Sequence, residues 1–448
     1  MPYLPITRKE MIEQKIEVPD FVFVSGDAYC DHPSFGTAII SRILERHGFS
    51  VCILSQPNIL NPQEFLEFGK PKYGWLVSSG NIDSMVNHYT VALRKRKKDY
   101  YTPGGVMGKR PDRAVIRYSE VIRNIDPNGN IILGGVESSL RRLGHYDYWS
   151  DTVRKSILLE SDADILVYGM GELAIIEIAE ALRSDFDLRY LTYVPGTVVR
   201  TKDTQLIPAK SIFLPDYEEI RKNKEAYAKS FMIQYRNSDH IVAKTLVEKY
   251  GDEYVIQNPP MRPLTEFEMD EVYDLPYMRG PHPLLEKQGH ISAMDEIKFS
   301  ITANRGCFGG CTFCALTSHQ GRTIQSRSKS SIVNEAKKII SDKDFKGYIH
   351  DVGGPTANFY RKACKKQVDY GVCPDKACIG YDVCRNLEVT HEDYLDVLRT
   401  LRELDGVKKV FIRSGIRYDY LMYDKNEEFF KELIKYHVSG QLKVAPEH

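Results

Sequence analysis

Apolar positions in residues 1–200 fall into short continuous runs separated by amphipathic stretches. The runs "FVFVSG" (21–26), "VCIL" (51–54), "GWLVSSG" (74–80), "IILGG" (131–135) and "ILVYG" (165–169) are rich in β-formers. They carry no polar alternation, as expected of strands buried on both faces of a parallel sheet. Between them, "SFGTAIISRILERHG" (34–48) reads as a helix with Ser34 as N-cap and Gly48 as stop. "GELAIIEIAEALRS" (171–184) reads as another helix. Alternation of this kind predicts a doubly wound α/β domain. Several strands end in small residues, Ser25-Gly26, Ser78-Ser79-Gly80, Gly134-Gly135 and Gly169. Such ends line the crevice where doubly wound sheets take ligands, although each glycine on its own also serves to turn the chain.

The pattern then changes. Residues 201–295 carry two helical patterns, "DYEEIRKNKEAYAKSFMIQYR" and "DHIVAKTLVEKYG". A proline-rich stretch follows (258–285), expected to run extended over a neighbouring domain, and the whole reads as a connector. From 296 the βα rhythm returns. Strands are predicted at "IKFSITANRG", "GYIHDVGG", "KKVFIRSG" and "LKVAPEH", and helices at "SSIVNEAKKIISD", "HEDYLDVLRTLREL" and "EEFFKELIKYH". A cysteine-rich insertion (360–386) interrupts this third region. Four such strands do not close a barrel, so the expectation is an open partial (β/α) barrel or a chain truncated at its C-terminal side.

Composition excludes several classes. The 61 Lys and Arg balance 61 Asp and Glu, so no global field favours nucleic acid or a membrane surface. No apolar run approaches the ~20 residues that cross a bilayer. The opening residues lack the apolar centre of a secretion signal, and a cytoplasmic protein is expected. No G-x-S-x-G elbow supports serine nucleophile chemistry. Of nine cysteines, seven fall between Cys307 and Cys384. In a reducing compartment, that clustering points to metal rather than to disulfides. Cys52, inside an apolar strand, reads as a small buried residue.

The stretch "RGCFGGCTFC" (305–314) places Cys307, Cys311 and Cys314 at C-x3-C-x2-C, after a predicted strand. Three thiolates can hold a [4Fe-4S] cluster by three irons and leave the fourth open, just as catalytic zinc sites differ from closed ones. Gly306, Gly309 and Gly310 keep the loop slim, and Phe308 and Phe313 can shield it. A structural metal knot completed by a cysteine from elsewhere is the alternative, and with it a non-catalytic iron–sulfur or zinc scaffold that binds RNA or a protein partner.

This loop resembles the signature of the radical S-adenosylmethionine (radical SAM) enzymes. The resemblance implies that the open iron binds the amino and carboxylate groups of S-adenosylmethionine. One electron then splits the sulfonium bond and gives a 5′-deoxyadenosyl radical that abstracts hydrogen. It also implies an electron donor such as flavodoxin or ferredoxin. Phe313 would sit against the adenine. Gly353 and Gly354 of "DVGGPT" would bind the methionine amino group by backbone, with Pro355 where the family carries an acid. Arg413, Ser414 and Arg417 of "RSGIRYD" would hold the carboxylate or ribose, the alternative for a strand-end arginine being a surface ion pair. Glu447 and His448 are further candidates.

Longer motifs narrow the match. "SGDAYCDHPSFG", "SSGNIDSMVNHYT", "GKRPDRA", "LGGVESSLRRLGHYDYWSDTVR", "GRTIQSRS", "DVGGPTANFY" and "LKVAPEH" are together similar to the YgiQ-type (UPF0313) radical SAM proteins. Members of that family run on past the present endpoint, which is why a truncated barrel is expected. The implied N-terminal domain is cobalamin-binding-like and Rossmann-type (1–200). It is followed by the connector (201–295) and a radical SAM core of four strands (296–448). Cobalamin-binding domains often take an axial histidine from D-x-H-x-x-G. Here "DHPSFG" offers His32 at a different spacing, so the expectation is base-off cobalamin or, favoured, none.

A second group, Cys364, Cys373, Cys378 and Cys384, stands at C-x8-C-x4-C-x5-C. The stretch around it is too short and polar to bury a core, so a staple would help it fold. Zinc or a second iron–sulfur cluster satisfies four thiolates equally, and free thiols are the alternative. A basic run beside tyrosines (94–101) is a solvated loop or a weak nucleic-acid contact. The stretch 144–155 concentrates His145, Asp147, Trp149, Asp151 and Arg154 after a strand end, where substrate contact and domain packing are both open readings.

Overall fold

The computed structural model describes residues 2–380 and 383–444. The chain divides into two compact units. The first comprises residues 1–238, 243–261 and 276–293, and the second 239–242, 262–275 and 294–448.

The five apolar runs of the first unit all become strands: β1 (Phe21–Ser25), β2 (Val51–Ser55), β3 (Gly74–Ser78), β4 (Ile131–Leu133) and β5 (Ile165–Val167). They pair in parallel in the order β2-β1-β3-β4-β5. That order reverses direction between β1 and β3, the position of the ligand crevice in doubly wound sheets. Val22, Val24, Cys52, Trp75, Val77, Ile131, Leu133 and Leu166 form the floor of one apolar core. Helices at Gly36–Arg46 and Ala114–Ile125 occupy crossovers between parallel strands, and a helix at Glu172–Arg183 follows β5. Gly48 (φ +81°) ends the first of these, as its freedom in the left-handed region permits. Ser34 does not cap that helix. Phe35 holds the N-cap position without a side-chain bond, and the Ser34 amide donates to His32 instead.

The sheet continues beyond the alternating segment. β6 (Thr197–Thr201) joins β5 antiparallel. Three more strands, β7 (Ile212–Phe213), β8 (Leu246–Tyr250) and β9 (Glu253–Gln257), extend the sheet from β6 in the order β9, β8, β7, giving nine strands among the described residues. The pattern 239–251, read from the sequence as helical, is therefore a correction. β8 pairs antiparallel with β9 across a turn at Gly251 (φ +69°). Leu246, Val247 and Tyr250 are buried in the sheet, and pairing has overridden a weak helical periodicity. The proline-rich stretch does not run extended either. Thr265 and Glu268 form a reciprocal capping box, which starts a helix at Glu266–Tyr273.

In the second unit, β10 (Ser300–Thr302) and β14 (Asp351–Gly353) pair in parallel, as do β13 (Tyr348–Ile349) and β15 (Lys409–Val410). Between them in sequence, β11 (Asn304–Arg305) and β12 (Gln325–Ser326) pair antiparallel and pinch the base of the cysteine loop. Helices Lys329–Ile340 and Glu392–Arg402 pack Ile332, Ala336, Ile339, Leu395, Leu398 and Leu401 against Ile301, Val352 and Val410. Of the predicted strand "LKVAPEH", Val444 makes a parallel bridge to Ile416. Glu447 and His448 lie outside the described residues. Among the described residues no helix is long and apolar enough to cross a membrane.

Candidate functional site

The cysteine loop leaves the β10–β11 segment through Gly306. This residue lies at φ +84°, and a Cβ there would stand 2.2 Å from the Thr323 carbonyl oxygen. Only glycine fits that crossing. Cys307 is buried, its amide donates to the Gly321 carbonyl, and its Sγ lies 3.4 Å from the Thr356 hydroxyl. Cys311 and Cys314 are half-buried and joined by a bond from the Cys314 amide to the Cys311 carbonyl, 3.2 Å. Phe308 stacks on Phe359 with ring centroids 3.8 Å apart, and Tyr420 meets both rings edge-on. These rings close one side of the loop against water. Phe313, on the same loop, is 69% exposed.

The strand-end residues converge on this loop to different degrees. Arg417 is buried, and its guanidinium donates to Cys311 Sγ at 3.4 Å. A Cβ on Gly309 would stand 2.4 Å from that same guanidinium, so the glycine makes room for it. Asp419 holds the Arg417 Nε at 2.8 Å. The Asn358 side-chain Oδ1 accepts the Arg417 amide at 2.9 Å, and the Asn358 side-chain NH2 faces His391 Nε2 at 3.1 Å. His391 Nδ1 in turn meets Asp424 at 2.6 Å. Burial lowers the His391 pKa, with Asp424 working against it. A neutral ring that donates to Asp424 and accepts from Asn358 satisfies every atom of this chain.

Gly353 and Gly354 form a tight turn beside the loop. A Cβ on Gly354 would stand 2.3 Å from the Asn304 carbonyl oxygen. Asn304 is fully buried, and among the described residues neither its side-chain oxygen nor its nitrogen has a hydrogen-bond partner. Such a group calls for a ligand. Ser414 donates its hydroxyl to Asp351, whose carboxylate also accepts the Arg413 amide at 2.7 Å. The Arg413 guanidinium turns outward to Glu296, 3.1 Å away. Asn304, Thr356 and Asn358 were not singled out from the sequence. The one available signal was their adjacency to the "ANRGC" and "GGPTAN" glycines.

The donor set fits an iron–sulfur cluster. Three thiols stand on a glycine-cleared loop, with a hydroxyl and a guanidinium aimed at two of the sulfurs. Among the described residues no three His, Cys, Asp or Glu side chains gather as ligands of a single ion. The second cysteine group lies in the same unit. Burial raises the Cys378 pKa, Arg322 lowers it, and the neighbouring Cys364, Cys384 and Cys373 raise it further.

The crevice of the first unit is built differently. A Cβ on Gly26 would stand 2.2 Å from the Ser79 carbonyl, and one on Gly80 would stand 2.1 Å from the Asp27 carboxylate. Fully buried Arg110 lies 2.8 Å from Asp27 and 3.3 Å from Asp99, and donates to the Ser79 carbonyl at 2.7 Å. Burial raises the Asp27 pKa to about 6 against the pull of Arg110. His32 is buried. Its Nδ1 accepts the Ser34 amide, and its Nε2 stands 3.1 Å from the Arg279 guanidinium. Burial and Arg279 hold it well below the usual histidine range. The residues at the switch point therefore do not fit a histidine-ligated corrinoid. The stretch 145–154 is a hairpin in which Arg113 grips Asp147 at 2.9 Å, and residues 94–98 are exposed.

A family model described as the radical SAM N-terminal region matches residues 3–300. A UPF0313 protein of Clostridium botulinum (strain Kyoto / Type A2) is 56% identical over 448 residues, covering all of this chain and 69% of the relative. A UPF0313 protein of Clostridium perfringens (strain ATCC 13124) is 53% identical over 446 residues, covering all of this chain and 67% of the relative. Among solved structures, the radical S-adenosylmethionine methyltransferase TsrM from Kitasatospora setae, with cobalamin and a [4Fe-4S] cluster bound, is 13% identical with a TM-score of 0.45. That match covers 92% of this chain, which spans 56% of the length of TsrM.

Proposed function

The chain belongs to the UPF0313 family of radical SAM proteins, and from that premise we propose that it is a radical S-adenosylmethionine enzyme with Cys307, Cys311 and Cys314 as its cluster ligands. The observation that carries the reading is the loop itself. Three thiols stand on a strand-end loop whose glycines admit the Arg417 guanidinium to one sulfur and the Thr323 carbonyl to the backbone. When bound, a [4Fe-4S] cluster supplies the single electron that cleaves S-adenosylmethionine. A small low-potential protein such as flavodoxin or ferredoxin is the electron source.

The chain's own residues divide the remaining work. Arg417 brings positive charge to the Cys311 thiolate, which favours the electron-rich state. The Phe308–Phe359–Tyr420 stack keeps water from one side. Asn304 and the Gly353-Gly354 turn take the polar end of the cosubstrate, and exposed Phe313 offers a face for its adenine. Ser414 ties strand ends through Asp351, and the Arg413 side chain is committed to Glu296 rather than to a carboxylate ligand.

Anaerobic reconstitution with iron and sulfide, then dithionite and S-adenosylmethionine, tests this. The expected product is 5′-deoxyadenosine, falling to background in Cys311→Ala. Absence of that product from a protein loaded with its cluster would overturn the reading.

A further inference from the structure

The four cysteines of the insertion serve no part of that chemistry. We propose that Cys364, Cys373, Cys378 and Cys384 ligate a second iron–sulfur cluster, closed by four thiolates and sharing an apolar wall with the Cys307 loop.

Placement is the first support. Cys307 and Phe308 of the first loop belong to one apolar cluster with Phe359, Ala363 and Ile379, and Cys378, Leu387 and Val389 pack against it. The insertion is thus not a detached lobe. It presents a thiol to the same wall that closes the radical SAM loop. All four thiols are free and half-buried. The Cys384 amide donates to the Cys378 carbonyl at 3.1 Å, which folds the C-terminal pair of cysteines back on itself.

Charge is the second. Four thiolates need compensating donors in a semi-apolar pocket. Arg322 is buried among them, donating to the Cys373 carbonyl at 3.1 Å and the Lys376 carbonyl at 3.3 Å. Its own carbonyl is held by Gln367 at 3.1 Å. Lys366 Nζ stands 3.9 Å from Cys373 Sγ. One cation within the insertion and one packed against it match an anionic centre.

Four thiolates suit zinc or an iron–sulfur cluster equally. The shared wall selects the cluster: zinc carries no redox chemistry, whereas a cluster packed against the wall of the Cys307 loop stands where it can exchange an electron with that loop.

The choice of iron over zinc rests on the reading of the Cys307 loop as a cluster site, and the experiment separates the two. Iron, sulfide and zinc are counted in the anaerobically purified chain and in a variant carrying Cys307→Ala, Cys311→Ala and Cys314→Ala. The wild type is expected to hold about eight irons and eight sulfides, the sum of two four-iron cubes. The triple variant is expected to hold about four, with a reduced-state paramagnetic signal unmoved by S-adenosylmethionine. About four irons in both proteins would sustain this proposal and remove the reading of the first loop. About four in the wild type and none in the triple variant would overturn it, as would one zinc per chain retained by both. The wild-type count requires no substitution, so misfolding of the variant does not protect the proposal.

Discussion

Both units end their parallel strands in glycines, and the two ends are finished in opposite ways. At the switch point of the first unit, Gly26 and Gly80 let the Ser79 carbonyl and the Asp27 carboxylate close in. Arg110 then neutralises Asp27 and Asp99, and the crevice is filled by the chain's own charges. At the cysteine loop of the second unit, Gly306, Gly309 and Gly354 clear equally tight crossings. There the guanidinium admitted beside Gly309 points at a sulfur, and buried Asn304 has no partner for its side-chain amide among the described residues. A glycine at a strand end is therefore no ligand signal by itself. What distinguishes the two ends is charge: the ions beside Gly26 and Gly80 pair with one another, although Asp27 Oδ1 and Arg110 Nε lack a hydrogen-bond partner, whereas both polar atoms of the Asn304 amide stand without one among the described residues.

The contrast breaks most sharply at Arg110. Arg110→Met removes the cation from two buried carboxylates, and breaking such a pair costs about 3–5 kcal/mol. Both tryptophans, Trp75 and Trp149, lie in the first unit, so urea unfolding followed by fluorescence reads that unit alone. A loss below ~1 kcal/mol would mean that the plug is solvated and the crevice open.

A second buried acid tests the same self-containment by pH. Glu248 is fully buried in β8, accepts the Gly144 amide at 2.7 Å and the Tyr250 hydroxyl, and has its pKa raised by burial from 4.5 to about 7. Because the folded value is the higher, its contribution is complete below pH 4.5 and is lost as pH rises through 7. A shift of that size is worth about 3 kcal/mol. Glu248→Gln should gain on the wild type by about that amount between pH 4.5 and pH 8 in urea titrations. A constant difference across the range would show that the carboxyl is reached by water.

Much of this was legible beforehand. The five β-rich runs fixed the parallel sheet, because a strand buried on both faces leaves an unbroken apolar signature. C-x3-C-x2-C located the loop, since ligand spacing is local. The β8–β9 hairpin was not legible: Glu248 and Lys249 interrupt its apolar pattern, and its partners are set by tertiary pairing. Nor was the division of labour among "RSGIRYD". Arg413 and Arg417 are both strand-end arginines, but only their neighbours, Glu296 for one and Asn358 with Asp419 for the other, decide which turns outward.

The crossing at Gly354 supplies a smaller test on the open side. Gly354→Ala places a methyl 2.3 Å from a backbone oxygen that cannot swing away. Overpacking of this kind costs about 1–3 kcal/mol. Hydrogen exchange of the second unit should quicken, and the affinity for S-adenosylmethionine should fall with it as Asn304 is displaced. Gly48→Ala, where a Cβ meets nothing within 4 Å, should leave both unchanged and show only the strain of its positive φ.

The finest distinction concerns Arg417, for which two roles compete. As a carboxylate ligand of the cosubstrate, its replacement would weaken binding and leave the redox potential alone. The geometry favours the other role. Its guanidinium is buried, gripped by Asp419, anchored through Asn358 and His391, and aimed at Cys311 Sγ. Arg417→Lys keeps the charge but loses the planar fork that reaches the sulfur and Asp419 together. One net hydrogen bond to the thiolate is worth on the order of 1 kcal/mol. For a one-electron couple that is a fall of about 40 mV in midpoint potential, read by a redox titration of the paramagnetic reduced state. S-adenosylmethionine affinity should hold steady. The reverse pattern, an unmoved potential with weakened binding, would transfer Arg417 to the cosubstrate and leave the Cys311 thiolate without the charge that sets the second unit's loop apart from the plugged crevice of the first.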